Sequence, residues 1–366
     1  MGHGGKVRAA AGPGSTDFRW LRSAGFPCFR GPCIYRYFRS GPYDHAMAMT
    51  GLDDRMTTAE NYRRFAEREA AGRSPAYEAL ALAVASDPDV LGFLGTLPAD
   101  KRQPNLLFAA ARHMLRMVPD ADSLRELAIV RAGELRATIL SRRTQTNEPG
   151  RCATLLPALA AVDGPLALIE VGASAGLCLH VDRYSYDYGH THLTGRDPQA
   201  PTLRCRAEGP HPELRMPEVA WAAGIDLNPL NPSDPGDRSW LECLVWPGQT
   251  TRRERLVSAL ATARRHPVPV HEGDLLEALP ALVEQAPRDA RVVVFHSAVL
   301  AYVGPQLRAD FAGLTRELDV VWIANEAPGV VADIAPPRFE TSPFVLTVDG
   351  APAAFTHPHG DWIRWM

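Results

Sequence analysis

The segment Glu170-Val-Gly172-Ala-Ser174-Ala-Gly176 carries the densest chemical signal in this 366-residue chain. It follows the apolar run Leu166-Ala-Leu-Ile169, which predicts a buried strand running straight into a tight turn and a helix from Leu177. Small residues at 172, 174 and 176 let the backbone turn sharply and let a ligand approach it, as nucleotide loops do where a helix begins. The dinucleotide fingerprint G-x-G-x-x-G is excluded because position 174 is Ser and 177 is Leu, and no Gly-Lys-Ser/Thr follows to make a phosphate loop. The same residues also spell G-x-S-x-G, the nucleophile elbow of serine hydrolases, with Ser174 at the apex. Asp226 or Asp274, then His357 or His359, would complete it in a permitted chain order. Against a hydrolase stand the residues before the turn, which read as helical where that fold needs strands and an oxyanion loop.

Class I methyltransferases end their first strand in an acid two residues before a Gly-x-Gly-x-Gly turn that holds S-adenosylmethionine, and this segment resembles that motif. Glu170 looks like the acid and Gly172 and Gly176 like the outer glycines, while Ser174 replaces the middle one. The resemblance implies that Asp226, after the apolar run 219–225, meets the ribose hydroxyls, a carboxylate being a strong acceptor for both. It implies that Asp274 meets the adenine amine. Helix capping is the plainer reading of these two acids. His296 and Ser297 leave the fourth strand where such enzymes commonly place catalytic groups, with Tyr302 about a turn onward. A histidine suits proton acceptance near neutral pH, and a buried structural role is its alternative. Asn325-Glu326 either lines the same cleft or caps a loop. There is no Asn/Asp-Pro-Pro-Tyr amino-methylation motif, so the acceptor atom stays open.

Residues 50–366 as a whole resemble the bacterial family called domain of unknown function 2332. The resemblance rests on Gln145-Thr-Asn-Glu148, Glu170 to Leu177, Gly224-Ile-Asp226-Leu-Asn-Pro229, Trp240-Leu241, Trp246-Pro247 and the ending His357-Pro-His359-Gly-Asp-Trp362. It implies a methyltransferase-like fold and names no activity. Gln145 to Glu148 is expected to cover the cofactor or to form a polar hinge. Trp240, Trp246 and Arg252-Arg253 are expected to form a lid or a packed surface helix. His357-x-His359 has a metal-ligand spacing without a third ligand, so a turn is expected and no metal site.

These residues need a scaffold. Residues 47–163 read as helical, opening with a capping box of Thr57 and Glu60 and continuing over 75–85 and 104–117. A fourth helix opens at Ser123, with Glu126 completing its box and an apolar stripe of Leu124, Leu127, Ala128, Leu135 and Ile139; a shorter one over 151–161 is broken by Pro157. Over 164–366, apolar runs at 166–171, 219–225, 268–270, 291–295 and 320–324 alternate with helical patterns. That alternation predicts an α/β fold, a Rossmann-like, mostly parallel sheet of methyltransferase type covered on both faces. The runs 344–348, 354–355 and 362–365, with an Asp349-Gly350 turn, give it an antiparallel C-terminal end. Tyr184, Tyr186 and Tyr188 alternate in an inserted hairpin near 183–218. Ligands of open sheets collect at the carboxyl ends of the strands, where Gly172, Asp226, Asp274, His296 and Asn325 all fall.

Composition bounds the rest. A hydrophobic share of 46% and a charged share of 22% are globular values, and no apolar run approaches the roughly 18 residues of a membrane span. A formal charge of −3 recommends no nucleic-acid partner. Residues 1–46, rich in Gly, Pro and Arg without periodicity, read as a disordered tail ahead of alternative starts at Met47, Met49 and Met56. Six cysteines without a C-x-x-C pair read as reduced thiols of a cytoplasmic protein. The combined expectation is an S-adenosylmethionine-binding protein with Glu170, Gly172, Ser174, Gly176, Asp226 and Asp274 around the cofactor. His296 and Tyr302 would handle protons in methyl transfer to a small molecule. A non-catalytic cofactor-binding module and a serine hydrolase using Ser174 are the alternatives.

Overall fold

Thr57 opens the first helix as its sequence predicts: its hydroxyl accepts from the Glu60 amide, and Glu60 reaches back to the Thr57 amide at 2.7 Å. The computed structural model describes residues 56–337, 339 and 342–366, all within the compact unit Pro42–Met366. The expected tail over 1–46 and the starts at Met47 and Met49 lie outside the described residues.

The helical layer comprises α1 (Thr58–Phe65), α2 (Pro75–Val84), α3 (Pro88–Gly95), α4 (Pro104–Leu115), α5 (Ala121–Val130) and α6 (Ala132–Ser141). Proline takes the first position of α2, α3 and α4, where its missing N–H would have had no helical partner. The single helix expected from Ser123 is two. Asp120 is the cap and forms its box with Ser123, and Arg131, at φ −114°, interrupts the helix before α6.

Next come α7 (Cys152–Ala160), buried along its whole length with Pro157 inside it, and β1 (Leu166–Val171), also wholly buried. After β1 the expected helix from Leu177 is a single 3₁₀ turn, Leu177–His180. The Tyr184 hydroxyl donates to the Leu177 carbonyl and Tyr186 to the Val181 carbonyl, tying this turn to the inserted segment. The strands β2 (Ser185–Asp187), β3 (His192–Leu193) and β4 (Thr202–Arg204) form a separate small sheet in the order β3-β2-β4, while β5 (Arg206–Glu208) leaves for the main sheet. The insertion is therefore more than the hairpin expected.

The remaining elements are β6 (Val219–Asp226), α8 (Pro235–Leu244), α9 (Thr250–Arg265), β7 (Val270–Glu272), α10 (Leu275–Gln285), β8 (Arg291–Ser297), α11 (Pro305–Glu317), β9 (Val321–Glu326), β10 (Phe344–Val348), β11 (Ala351–Thr356) and β12 (Trp362–Trp365). The main sheet runs β5-β12-β11-β10-β9-β8-β1-β6-β7. Its β7-β6-β1-β8-β9 portion is parallel, and β10 to β12 follow as an antiparallel meander with β5 parallel to β12 at the edge. The chain winds from β1 out to β7, then returns to the other side of β1 for β8. That reversal leaves a crevice at the carboxyl ends of β1 and β8.

Packing follows the pattern of the strands. On one face Leu275, Leu279, Leu282 and Phe311 close over Ile169, Ile225, Val294 and Trp322. Trp240 of α8 is fully buried, its indole N–H donates to the Arg143 carbonyl, and Trp246 lies against Phe65 and Tyr77. These indoles cement α8 and the residues after it to the helical layer, in line with the packed-helix alternative. No helix among the described residues is long and apolar enough to cross a membrane.

One contact can be tested directly. A Cβ on Gly360, at φ +85°, would stand 1.9 Å from the Gly150 carbonyl oxygen, whereas Gly350, at φ +79°, has nothing within 4 Å of the same position. Gly350→Ala is expected to cost about 1 kcal/mol for the backbone alone, and Gly360→Ala about 1–3 kcal/mol more. Urea unfolding of both variants measures the difference, and equal losses would mean that the two chain segments do not touch.

Candidate functional site

The turn after β1 packs three left-handed residues into five: Gly172 at φ +70°, Ser174 at +52° and Gly176 at +66°. A residue with a Cβ resists that conformation, so Ser174 needs outside support. Its amide donates to Asp226 Oδ2 at 2.8 Å, its hydroxyl accepts from Asn147, and its carbonyl accepts from the Leu230 amide at 3.1 Å. Asn147 also accepts from the Ala175 amide at 3.0 Å. The glycines are filled from within the protein: a Cβ on Gly172 would meet Val299 at 2.4 Å and one on Gly176 would meet Val270 at 3.1 Å. At their Cβ positions they serve the turn and its packing against Val299 and Val270.

Asp226 braces this turn. Besides the Ser174 amide on Oδ2, its Oδ1 accepts from the Asn228 amide at 2.7 Å and from Gln145 Nε2 at 3.3 Å. Gln145 in turn pairs with Asn228 through both ends of its own amide. Gln145 and Asn147 thus lie across the turn. Asp274 is the cap of α10, accepting from the Leu276 amide at 2.8 Å.

Glu170 is 7% exposed, and its Oε2, like Glu326 Oε2, is buried without a hydrogen-bond partner. Burial pushes its carboxyl well above the usual range; Cys178 adds to the rise, the Arg151 charge opposes it, and Asp226 adds again.

His296 is placed otherwise than a proton acceptor at the crevice would be. It is fully buried between Phe311 and Trp322. Its Nε2 accepts from the Trp322 indole N–H at 3.0 Å, which fixes the proton on Nδ1, and Nδ1 donates to Glu326 Oε1 at 2.7 Å. Both nitrogens are committed inside the core. Glu326 Oε1 also accepts from the Val299 and Leu300 amides, a loop-capping role, and Asn325 is buried against Ser297 and Thr356. Tyr302, on the 3₁₀ turn Leu300–Tyr302 just beyond β8, is half exposed.

A second constellation was only partly visible in the sequence. Glu148 is 2% exposed and accepts from Arg252 Nε at 2.6 Å, Arg255 Nε at 2.9 Å and the Gly150 amide at 3.0 Å. Arg151, 4% exposed, donates to the carbonyls of Ser297 at 2.9 Å and Pro358 at 3.0 Å. The available signal for Arg255 was its spacing from Arg252, three residues on along one helix face. Burial holds the His359 imidazole well below its usual range, and Arg252, Arg151, His357 and Arg255 press it further down. A surface depression of about 570 Å³, lined by Val283, Pro287, Arg288 and Val292, lies away from these groups at the amino end of β8.

Residues 59–365 match the family described as "Uncharacterized protein conserved in bacteria (DUF2332)". No curated protein and no solved structure matches the chain.

The raised Glu170 has a measurable sign. The unfolded carboxyl ionises near its ordinary pKa while the folded one resists, so native stability falls as pH rises from about 4 toward the folded value, by up to about 1.4 kcal/mol per unit. Glu170→Gln removes that loss: its advantage over the native protein is expected to grow from pH 5 to 8 and to vanish near pH 4. A pH-independent difference in urea unfolding would mean that the carboxylate is ionised and paired. Separately, Ser174 should stay unlabelled by a fluorophosphonate at neutral pH, because its hydroxyl partner is Asn147; labelling abolished in Ser174→Ala would restore the hydrolase.

Proposed function

The chain belongs to this bacterial family, and we propose that it binds S-adenosylmethionine at the turn after β1 and passes the methyl group to a small molecule held at the ends of β8 and β9. One observation carries the reading: Glu170 presents a buried, unpaired oxygen at the strand-order reversal, where open sheets bind their ligands. An ammonium group set against that oxygen would ionise it and turn a desolvation cost into a charge-assisted pair. Two further groups fit the rest of an adenosyl ligand. Asp226 Oδ2 accepts one hydrogen bond and keeps a lone pair for a ribose hydroxyl. Leu227, 60% exposed beside it, offers an apolar platform to a purine.

The bound group would supply an electrophilic methyl on sulfur. The protein's share is position: Ser174 and Asn147 fix the turn, Gly172 and Gly176 allow its shape, and Asp274 holds the start of α10. Tyr302, half exposed beyond β8, is better placed than His296 to hydrogen-bond an acceptor, and its raised phenol pKa keeps it a donor, so the acceptor's proton would leave to solvent.

Calorimetry with S-adenosylhomocysteine and with adenosine, on the native protein and Glu170→Gln, tests the reading. The native protein should bind both. Glu170→Gln should lose about tenfold or more for S-adenosylhomocysteine, which carries an ammonium group, and nothing for adenosine. Native affinity for S-adenosylhomocysteine should rise with pH as the free carboxyl ionises. No heat at millimolar ligand, or equal losses for the two ligands, would remove the cofactor assignment.

A further inference from the structure

Two guanidinium groups pair with the buried acid Glu148. Its two oxygens are occupied by Arg252, Arg255 and the Gly150 amide. Asp361 stands 3.9 Å from Arg255 at the surface and pairs with His357 at 3.1 Å. A third, Arg151, has carbonyl partners, Ser297 and Pro358, and the Phe344 ring 5.8 Å away. Among the described residues no carboxylate forms an ion pair with it, and Glu170, the acid in its field, is pushed toward its neutral form by burial. A cation this deeply enclosed is costly unless an anion joins it.

The unused donors point the same way. Among the described residues, the second terminal nitrogen of Arg151 and that of Arg252 have no hydrogen-bond partner in the protein. His359 lies in the field of both, and the charges that press most on it are cationic: Arg252, Arg151, His357 and Arg255. The place is also specific. Arg151 is bound to the Ser297 carbonyl at the carboxyl end of β8, beside the strand that carries Glu170. Glu326, the acid nearest in sequence to that end of β9, has its Oε1 committed to His296 and two amides.

We propose that Arg151 and Arg252, beside the turn that carries His359, form an oxyanion site that takes the carboxylate or phosphate of a small molecule at the carboxyl end of β8. Guanidinium forks match both groups bidentately. As the anchor of a methyl acceptor the site rests on the function proposed above; as an anion site it stands without it.

The test follows the His359 ring by NMR, assigned through His359→Gln, while the full chain is titrated with sodium phosphate or sodium acetate at ionic strength held constant with sodium chloride. Saturable binding in about the millimolar range is expected, with the His359 pKa moving up as the anion offsets the arginines. The oxyanion that binds more tightly identifies the acceptor's group. Arg252→Gln should weaken binding about tenfold, and Arg136→Gln, on the distant Thr96 loop, should not change it. A response equal to that of chloride, or one without saturation, overturns the site; that outcome is read on the native protein and does not depend on any variant folding. Anion binding kept while S-adenosylhomocysteine fails to bind would support the site and remove the cofactor reading. Binding of S-adenosylhomocysteine without any oxyanion binding would do the reverse.

Discussion

Glu148 is a charge that cannot be left alone. Enclosed almost completely, its carboxylate is tolerable only because two guanidinium groups and a backbone amide surround it, and removing any of them would leave an uncompensated charge in a poorly solvated place. That requirement locks residues 145–151 to α9 and, through Arg255 and Arg151, to the C-terminal turn at 357–361. With the segment pinned there, Gln145 and Asn147 fall across the turn after β1 and Arg151 reaches the end of β8.

The acids around this crevice divide by how their oxygens are used. Glu148 is paired with arginines, Asp226 gathers amides from the turn it braces, and Glu326 gathers an imidazole and two amides. Glu148 and Asp226 are satisfied by donors the fold brings to them, whereas Glu326 Oε2 and Glu170 Oε2 are buried without one. Glu170 sits one residue before the end of its strand, in the field of a thiol and another acid. A protein tolerates that cost where it serves a purpose, which is why this oxygen carries the functional reading.

The helical layer matters to the crevice by an indirect route. Arg112 of α4 donates to the carbonyls of Cys243 and Val245 at the end of α8, Ser74 donates to the Pro247 carbonyl, and Trp240 fills the space between. These contacts fix the start of α9, and α9 carries Arg252 and Arg255. Helices far from the strand ends in sequence thereby set where the buried positive charge stands.

The sequence alone determined the local and periodic features. The Thr57–Glu60 box, the buried run of β1, the alternation that yields a mostly parallel sheet and the antiparallel ending at 344–365 all follow from residue spacing, because such patterns report which face of an element is buried. It also located Glu170 and Asp226 at strand ends and the 145–148 segment ahead of the sheet as polar residues of one candidate site. Only the tertiary structure decided what those groups do. Whether Asp226 faces a ligand or the Ser174 amide, whether His296 reaches a crevice or a tryptophan, and whether Gly172 makes room or receives Val299 depend on atoms tens of residues away in the chain. Where a helix is expected from Leu177 the chain makes a single 3₁₀ turn, its Leu177 carbonyl bonded to a hydroxyl seven residues on. Hydrogen bonds and charges are satisfied in space, so residue order names the candidates and the fold assigns their partners.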